Sequence, residues 1–111
     1  MSKIYMGYRD DAGNHIKVVD KNETRELISK GLWGNTPSKF DWGNNTPGSR
    51  QAALAIACDI NVDYAWMYAE FSQSFISFFP DEWLLHQGII ESMLLMCKRA
   101  LEHWLETGEE L

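Results

Sequence analysis

The rhythm of apolar and polar residues changes several times along this chain, and each change marks an element. Residues 3–9 alternate, with Ile4, Met6 and Tyr8 in one phase and Tyr5 and Gly7 in the other, which is the period-two signature of a strand. The turn cluster Asp10-Asp11-Ala12-Gly13-Asn14 separates this run from residues 15–20, which carry Ile16, Val18 and Val19. The two runs therefore read as an antiparallel hairpin. Asn22 stands where a helix cap belongs, so residues 23–30, closed by Gly31, read as a short helix.

A near-duplication follows: Trp33-Gly34-Asn35-Thr36-Pro37, then Trp42-Gly43-Asn44-Asn45-Thr46-Pro47. Two copies of so short a unit cannot form a solenoid. They read as Pro-containing turns flanking a short strand over 39–42. Thr46 or Ser49 then caps a helix running to about Ile60. With Ala52, Ala53, Leu54, Ala55, Ile56 and Ala57, it is apolar nearly all round and should lie at the centre of the fold.

Asp63 is the expected cap of the next helix. Tyr64, Met67, Tyr68, Phe71, Phe75, Phe78 and Phe79 recur at helical spacing and make the clearest stripe in the chain, ending at Pro80. Trp83-Leu84-Leu85 reads as a fourth short strand. A last long helix over 87–106, stopped by Gly108, has Ile90, Leu94, Cys97, Leu101 and Trp104 along one seam. These elements predict an α+β fold: a small antiparallel sheet, the hairpin plus one or two short strands, packed on two or three helices. Ala53, Ile56, Phe71, Phe75 and Trp83 should belong to the core.

The length, 111 residues, suits one domain, 1–111, with a single core. The opening residues turn polar at once and the longest apolar run is too short to span a bilayer, so the expected setting is cytoplasmic, away from membranes. Cys58 and Cys97 fall in apolar helical contexts and read as buried free thiols. The charge is divided unevenly. Residues 1–50 carry eight Lys/Arg against six Asp/Glu, whereas residues 51–111 carry only Lys98 and Arg99 against ten acids. Phosphate backbones are bound by basic side chains, so a helical half of this sign argues against direct nucleic-acid contact and for a basic protein partner.

The segments Gly7-Tyr8-Arg9, Phe40-Asp41-Trp42-Gly43, and Gly48-Ser49 leading into Gln51-Ala52-Ala53-Leu54-Ala55 resemble a small bacterial and phage family catalogued as domain of unknown function 6166. Tyr68, Phe71, Pro80, Trp83 and Leu85 fit the same pattern. The likeness spans about residues 4–90 as a scaffold. The chain departs from it around 23–33 and in the helical extension 91–111. The resemblance implies no activity, but it does imply a phage or mobile-element setting.

Little in the sequence suggests chemistry. His15, His86 and His103 lack the companions of a zinc site, and no glycine-rich phosphate loop or activated cysteine is visible, so neither a metal nor another cofactor is expected. The most enzyme-like set is Tyr8, Arg9, Asp41 and Trp42, although Arg9 and Asp41 read first as a structural ion pair. The leading expectation is a non-catalytic protein-binding module, in its most specific form an inhibitor of a host defence complex of CRISPR type. Glu91, Glu102 and Glu106 on the last helix, together with Trp33, are the candidate contacts. A second reading is a small enzyme or ligand-binding domain with a pocket around the Tyr8 set. A third is a homo-oligomer, at its simplest a homodimer, assembled through the last helix.

Overall fold

A computed structural model describes residues 2–31 and 39–108. The fold is α+β. Strands β1 (Ile4–Asp10), β2 (Gly13–Asp20), β3 (Glu23–Glu26) and β4 (Trp83–His86) form one antiparallel sheet in the order β3-β2-β1-β4. Among the described residues three α-helices accompany it: α1 (Pro47–Ile60), α2 (Tyr68–Ser74) and α3 (Gln87–Thr107). Among the described residues no helix is long and apolar enough to cross a membrane.

The hairpin forms as its alternation predicts, with Tyr5 opposite Val18 and Gly7 opposite Ile16. The phase carrying Tyr5, Gly7, Ile16 and Val18 is buried, while Ile4, Met6 and Tyr8 are half-buried on the other side. The short helix expected over 23–30 does not form. Lys21 adopts φ 60 in a two-residue turn, which folds the chain back and pairs Asp20 with Glu23 and Val18 with Arg25. Leu27 N–H then donates to Ile16 O at 2.8 Å, extending the pairing. Tertiary pairing thus overrides a weak local helix signal.

Residues 39–42 form no strand either. Their polar groups are satisfied by side chains: Asn14 Nδ2 donates to Phe40 O at 2.9 Å, and Trp42 N–H donates to Asp41 Oδ1 at 2.9 Å. Such bonds offer the backbone an alternative to a ladder. Thr46 caps α1, its Oγ1 accepting from Ser49 N–H, and Pro47 occupies the first turn. Every side chain from Gln51 to Ala57 is buried, so α1 is the central helix. Gly48 is needed just there, because a Cβ on it would lie 2.8 Å from Asp41 Cβ.

The aromatic stripe is not one helix. Val62–Met67 is 3₁₀, capped by Asn61 rather than Asp63; α2 follows, and Phe75 leaves helical geometry before a second 3₁₀ turn at Ile76–Phe78. Three residues per turn instead of 3.6 shift the phase of the pattern. Met67 and Phe71 are buried as expected, Phe75 is only half-buried, Phe78 is turned out to solvent, and Ile76 takes the core position. Of the other core residues expected from sequence, Ala53, Ile56 and Trp83 are buried.

α3 ends where predicted. Gly108 takes a left-handed conformation (φ 74) and donates to Trp104 O at 2.7 Å. Its seam is buried at Ile90, Leu94 and Cys97 but surfaces at Trp104, which is 49% exposed.

Candidate functional site

Three of the four residues in the enzyme-like set come together. Arg9, near the end of β1, donates from Nη1 to Asp41 Oδ1 at 3.0 Å, from Nη2 to Trp42 O at 3.0 Å and from Nε to Asp81 Oδ1 at 3.2 Å. Its guanidinium carbon also lies 4.6 Å from the centre of the Trp42 ring. Trp42 is fully buried, and its indole N–H donates to Asp81 O at 3.1 Å. Asp41 additionally accepts from Asn44 Nδ2 at 2.9 Å. Burial alone would raise the Asp41 carboxyl, but bonds from Asn44, Arg9 and the Trp42 N–H outweigh it and hold the group below the usual range. Tyr8, the next residue on the strand, points to the opposite face and stacks on His15 with centroids 5.1 Å apart. Arg9, Asp41 and Trp42 therefore form a clasp that ties the sheet to two loops, with each guanidinium nitrogen bonded to a protein acceptor.

A second polar centre is built on Asp59 and was not singled out in the sequence. Its carboxylate accepts from Tyr5 Oη at 2.6 Å, Arg25 Nη2 at 2.6 Å and Lys3 Nζ at 3.4 Å, while Lys3 also donates to the Asp59 carbonyl at 2.9 Å. The end of α1 is thereby fastened to β1 and β3. Burial acts to raise this carboxyl, yet the bonds from Tyr5 and Arg25 and the charges of Arg25 and Lys3 prevail, leaving it below its ordinary 3.8. Burial, and then the bond to Asp59, push the Tyr5 phenol up. A signal was present in the sequence: a lone acid in the last turn of an apolar helix opposes the helix dipole unless cations meet it.

Because the folded Asp59 binds its proton less readily than the unfolded one, its stabilisation is complete above 3.8 and is lost as pH falls through the folded value. Asp41 contributes with the same sign. Stability should therefore drop steeply in acid, and Asp59→Asn should flatten that drop while lowering stability at neutral pH. Urea titrations from about pH 7 to about pH 2 check this, and parallel curves for the two proteins would contradict it.

Of the two free thiols, Cys97 is buried as expected but Cys58 is only half-buried; burial pushes the Cys97 thiol up to about 12 and raises that of Cys58, so both are held protonated. Among the described residues no group of three or more His, Cys, Asp and Glu is placed to hold a metal ion.

The last helix presents a different surface. Glu102 and Glu106 are exposed, and Glu91 is partly buried and accepts from Gln87 Nε2 at 2.7 Å. Trp33, the other candidate contact, lies outside the described residues. Ile89, Leu95, Met96, Trp104 and Leu105 are also exposed on α3. Near the end of α3 an open groove of about 370 Å³ separates it from the 3₁₀–α2 segment, lined by Trp66, Glu70, Gln73, Leu101, Trp104 and Leu105. The groove is not legible in the sequence, where Trp104 falls on the packed seam and no pattern marks Trp66.

No curated protein and no solved structure matches the chain. A family model does, over residues 5–96, a span that takes in the Arg9 clasp and Asp59 and stops part way along α3. The chain thus belongs to the family of unknown function DUF6166.

Proposed function

We propose that this protein is a non-catalytic protein-binding module of phage or mobile-element type, which meets a basic surface of its partner through α3. Its most specific form is an inhibitor of a host defence complex. The observation that carries the reading is the composition of the exposed side of α3, where Glu102 and Glu106 stand among Leu95, Trp104 and Leu105. Exposed large apolar residues grouped with one sign of charge are what a recognition surface needs: apolar area for affinity and charge for steering and orientation. The Arg9 and Asp59 centres support it from the other side, since their polar groups are engaged in holding elements together.

The test is a triple reversal, Glu91→Lys, Glu102→Lys and Glu106→Lys, compared with the unmodified chain in a tagged pull-down from the native host read by mass spectrometry. Reversal leaves positions 102 and 106 like-charged one turn apart, at the same cost of about 0.2–0.5 kcal/mol, and both are exposed, so folding should tolerate the change. Melting should stay nearly the same, while association with a basic partner slows by about ten-fold or more, because charge acts mainly on the on-rate. A partner retained at full strength by the reversed protein would reduce the acids to a solubility feature.

A further inference from the structure

We infer that the groove between α2 and the end of α3 is a docking site for a basic amphipathic helix of a partner protein, one with apolar anchors on one face and Lys or Arg beside them. This rests on the reading above and deepens it by giving the contact a place and its partner a chemistry. Both walls of the groove are helical, the 3₁₀–α2 segment on one side and the last turns of α3 on the other, and a channel between helices is shaped to accept a third. Its apolar wall is large and exposed: Trp66 is 41% accessible, Trp104 49% and Leu105 69%. Paired tryptophans of this kind are the side chains that most often anchor an interface.

Charge selects the occupant. Glu70 lines the groove itself. Asp63 lies one 3₁₀ turn before Trp66 and so on the same side. Glu102 precedes Leu105 by three residues, a neighbouring position on the helix surface, whereas Glu106, five residues after Leu101, is turned away from the groove on the side that Arg99 occupies two turns earlier. The cations of this half of the chain are Lys98 and Arg99. Arg99 comes two residues before Leu101 and hence on the far side of the helix, while Lys98 shares the groove's flank one turn away. The rim is therefore net acidic. A second copy of this chain would set Glu70 and Glu102 against their own counterparts, whereas a basic amphipathic helix satisfies both the apolar floor and the rim.

The probe is a fluorescein-labelled peptide of about 14 residues, four helical turns, with Leu at helical spacing and Lys elsewhere. A counterpart with Glu in place of Lys serves as control. Anisotropy titrations use the whole chain, a Trp104→Ala/Leu105→Ala variant, Leu105→Ala alone, and the triple Glu reversal. Both groove positions are about half exposed or more, so these variants should fold, which melting curves verify. The expected result is binding of the Lys peptide and not the Glu peptide, weakened by about ten-fold or more in the double groove variant and also by the reversal.

Binding lost in the reversal but unchanged in the groove variants would overturn the inference and leave the acidic-face reading standing. Indifference to all the variants, or equal binding of both peptides, would overturn the two together. Self-association of the chain, abolished by the groove substitutions, would assign the groove to a second copy and likewise overturn the inference.

Discussion

Trp42→Ala should destabilise the protein by about 3–5 kcal/mol, the usual penalty for emptying a fully buried aromatic site. Trp42 has no accessible surface, meets Trp83 edge to face with centroids 5.8 Å apart, and lies under the Arg9 guanidinium. Truncation opens a cavity and removes the ring that the cation covers, a contact worth about 0.5–2 kcal/mol in its own right. Against a total stability of about 5–15 kcal/mol, such a loss would leave the fold marginal. Trp42→Phe keeps most of the volume and drops only the indole donor to Asp81 O, so it should cost clearly less. Urea midpoints at constant slope give both values. A loss below about 1 kcal/mol for the Ala variant would mean that the aromatic cluster does not hold the clasp in place.

Gly7→Ala should also be strongly destabilising, which is the opposite of what propensity alone suggests, since glycine inside a strand is normally the weaker choice. Gly7 pairs with Trp83 across β1 and β4, and the indole lies on it so closely that a Cβ would fall 2.1 Å from Trp83 Nε1. A ring wedged against Trp42 and Phe79 cannot swing aside as a flexible chain end would. The cost should reach or exceed the upper end of the about 1–3 kcal/mol typical of overpacking. A double-mutant cycle isolates the cause: in a Trp83→Ala background the methyl has room, and Gly7→Ala should then be close to neutral. Equal costs in both backgrounds would show that the indole is not what excludes the side chain.

What the sequence made legible depended on how local the deciding interaction is. The β1–β2 hairpin, the Thr46–Pro47 start of α1 and the Gly108 stop of α3 are set by neighbouring residues, and all three form where the pattern puts them. β3 reads as helix in the sequence because Asn22 looks like a cap, while the deciding facts are the Lys21 turn and the reach of Arg25 to Asp59. The aromatic stripe was legible as core-forming but not as a broken helix, since 3₁₀ and α segments carry similar apolar spacings over one or two turns. For the candidate site, the acids of α3 and the Arg9–Asp41 pair could be named in advance. Asp59 is hinted at as a lone acid ending an apolar helix, but its contacts with Lys3, Tyr5 and Arg25, like the Trp66–Trp104 groove, are not, because each joins residues that only the completed fold brings together.

β1 has one neighbour that follows directly in the chain and another that is made last. Its pairing with β4 continues into mutual bonds between Lys3 and Gln87, 84 positions apart. At synthesis rates of about 5–20 residues per second, the hairpin can close several seconds before β4 leaves the ribosome. During that interval the β4-facing edge of β1, with Ile4, Tyr5 and Met6 along it, is an open template for any other unpaired strand. The seat on Gly7 that waits for Trp83 is empty for the same period. Nascent chains of this protein therefore depend on a neighbour's absence: crowding on a polysome should favour edge-to-edge association of unfinished chains, and slow translation before Trp83 should make it worse.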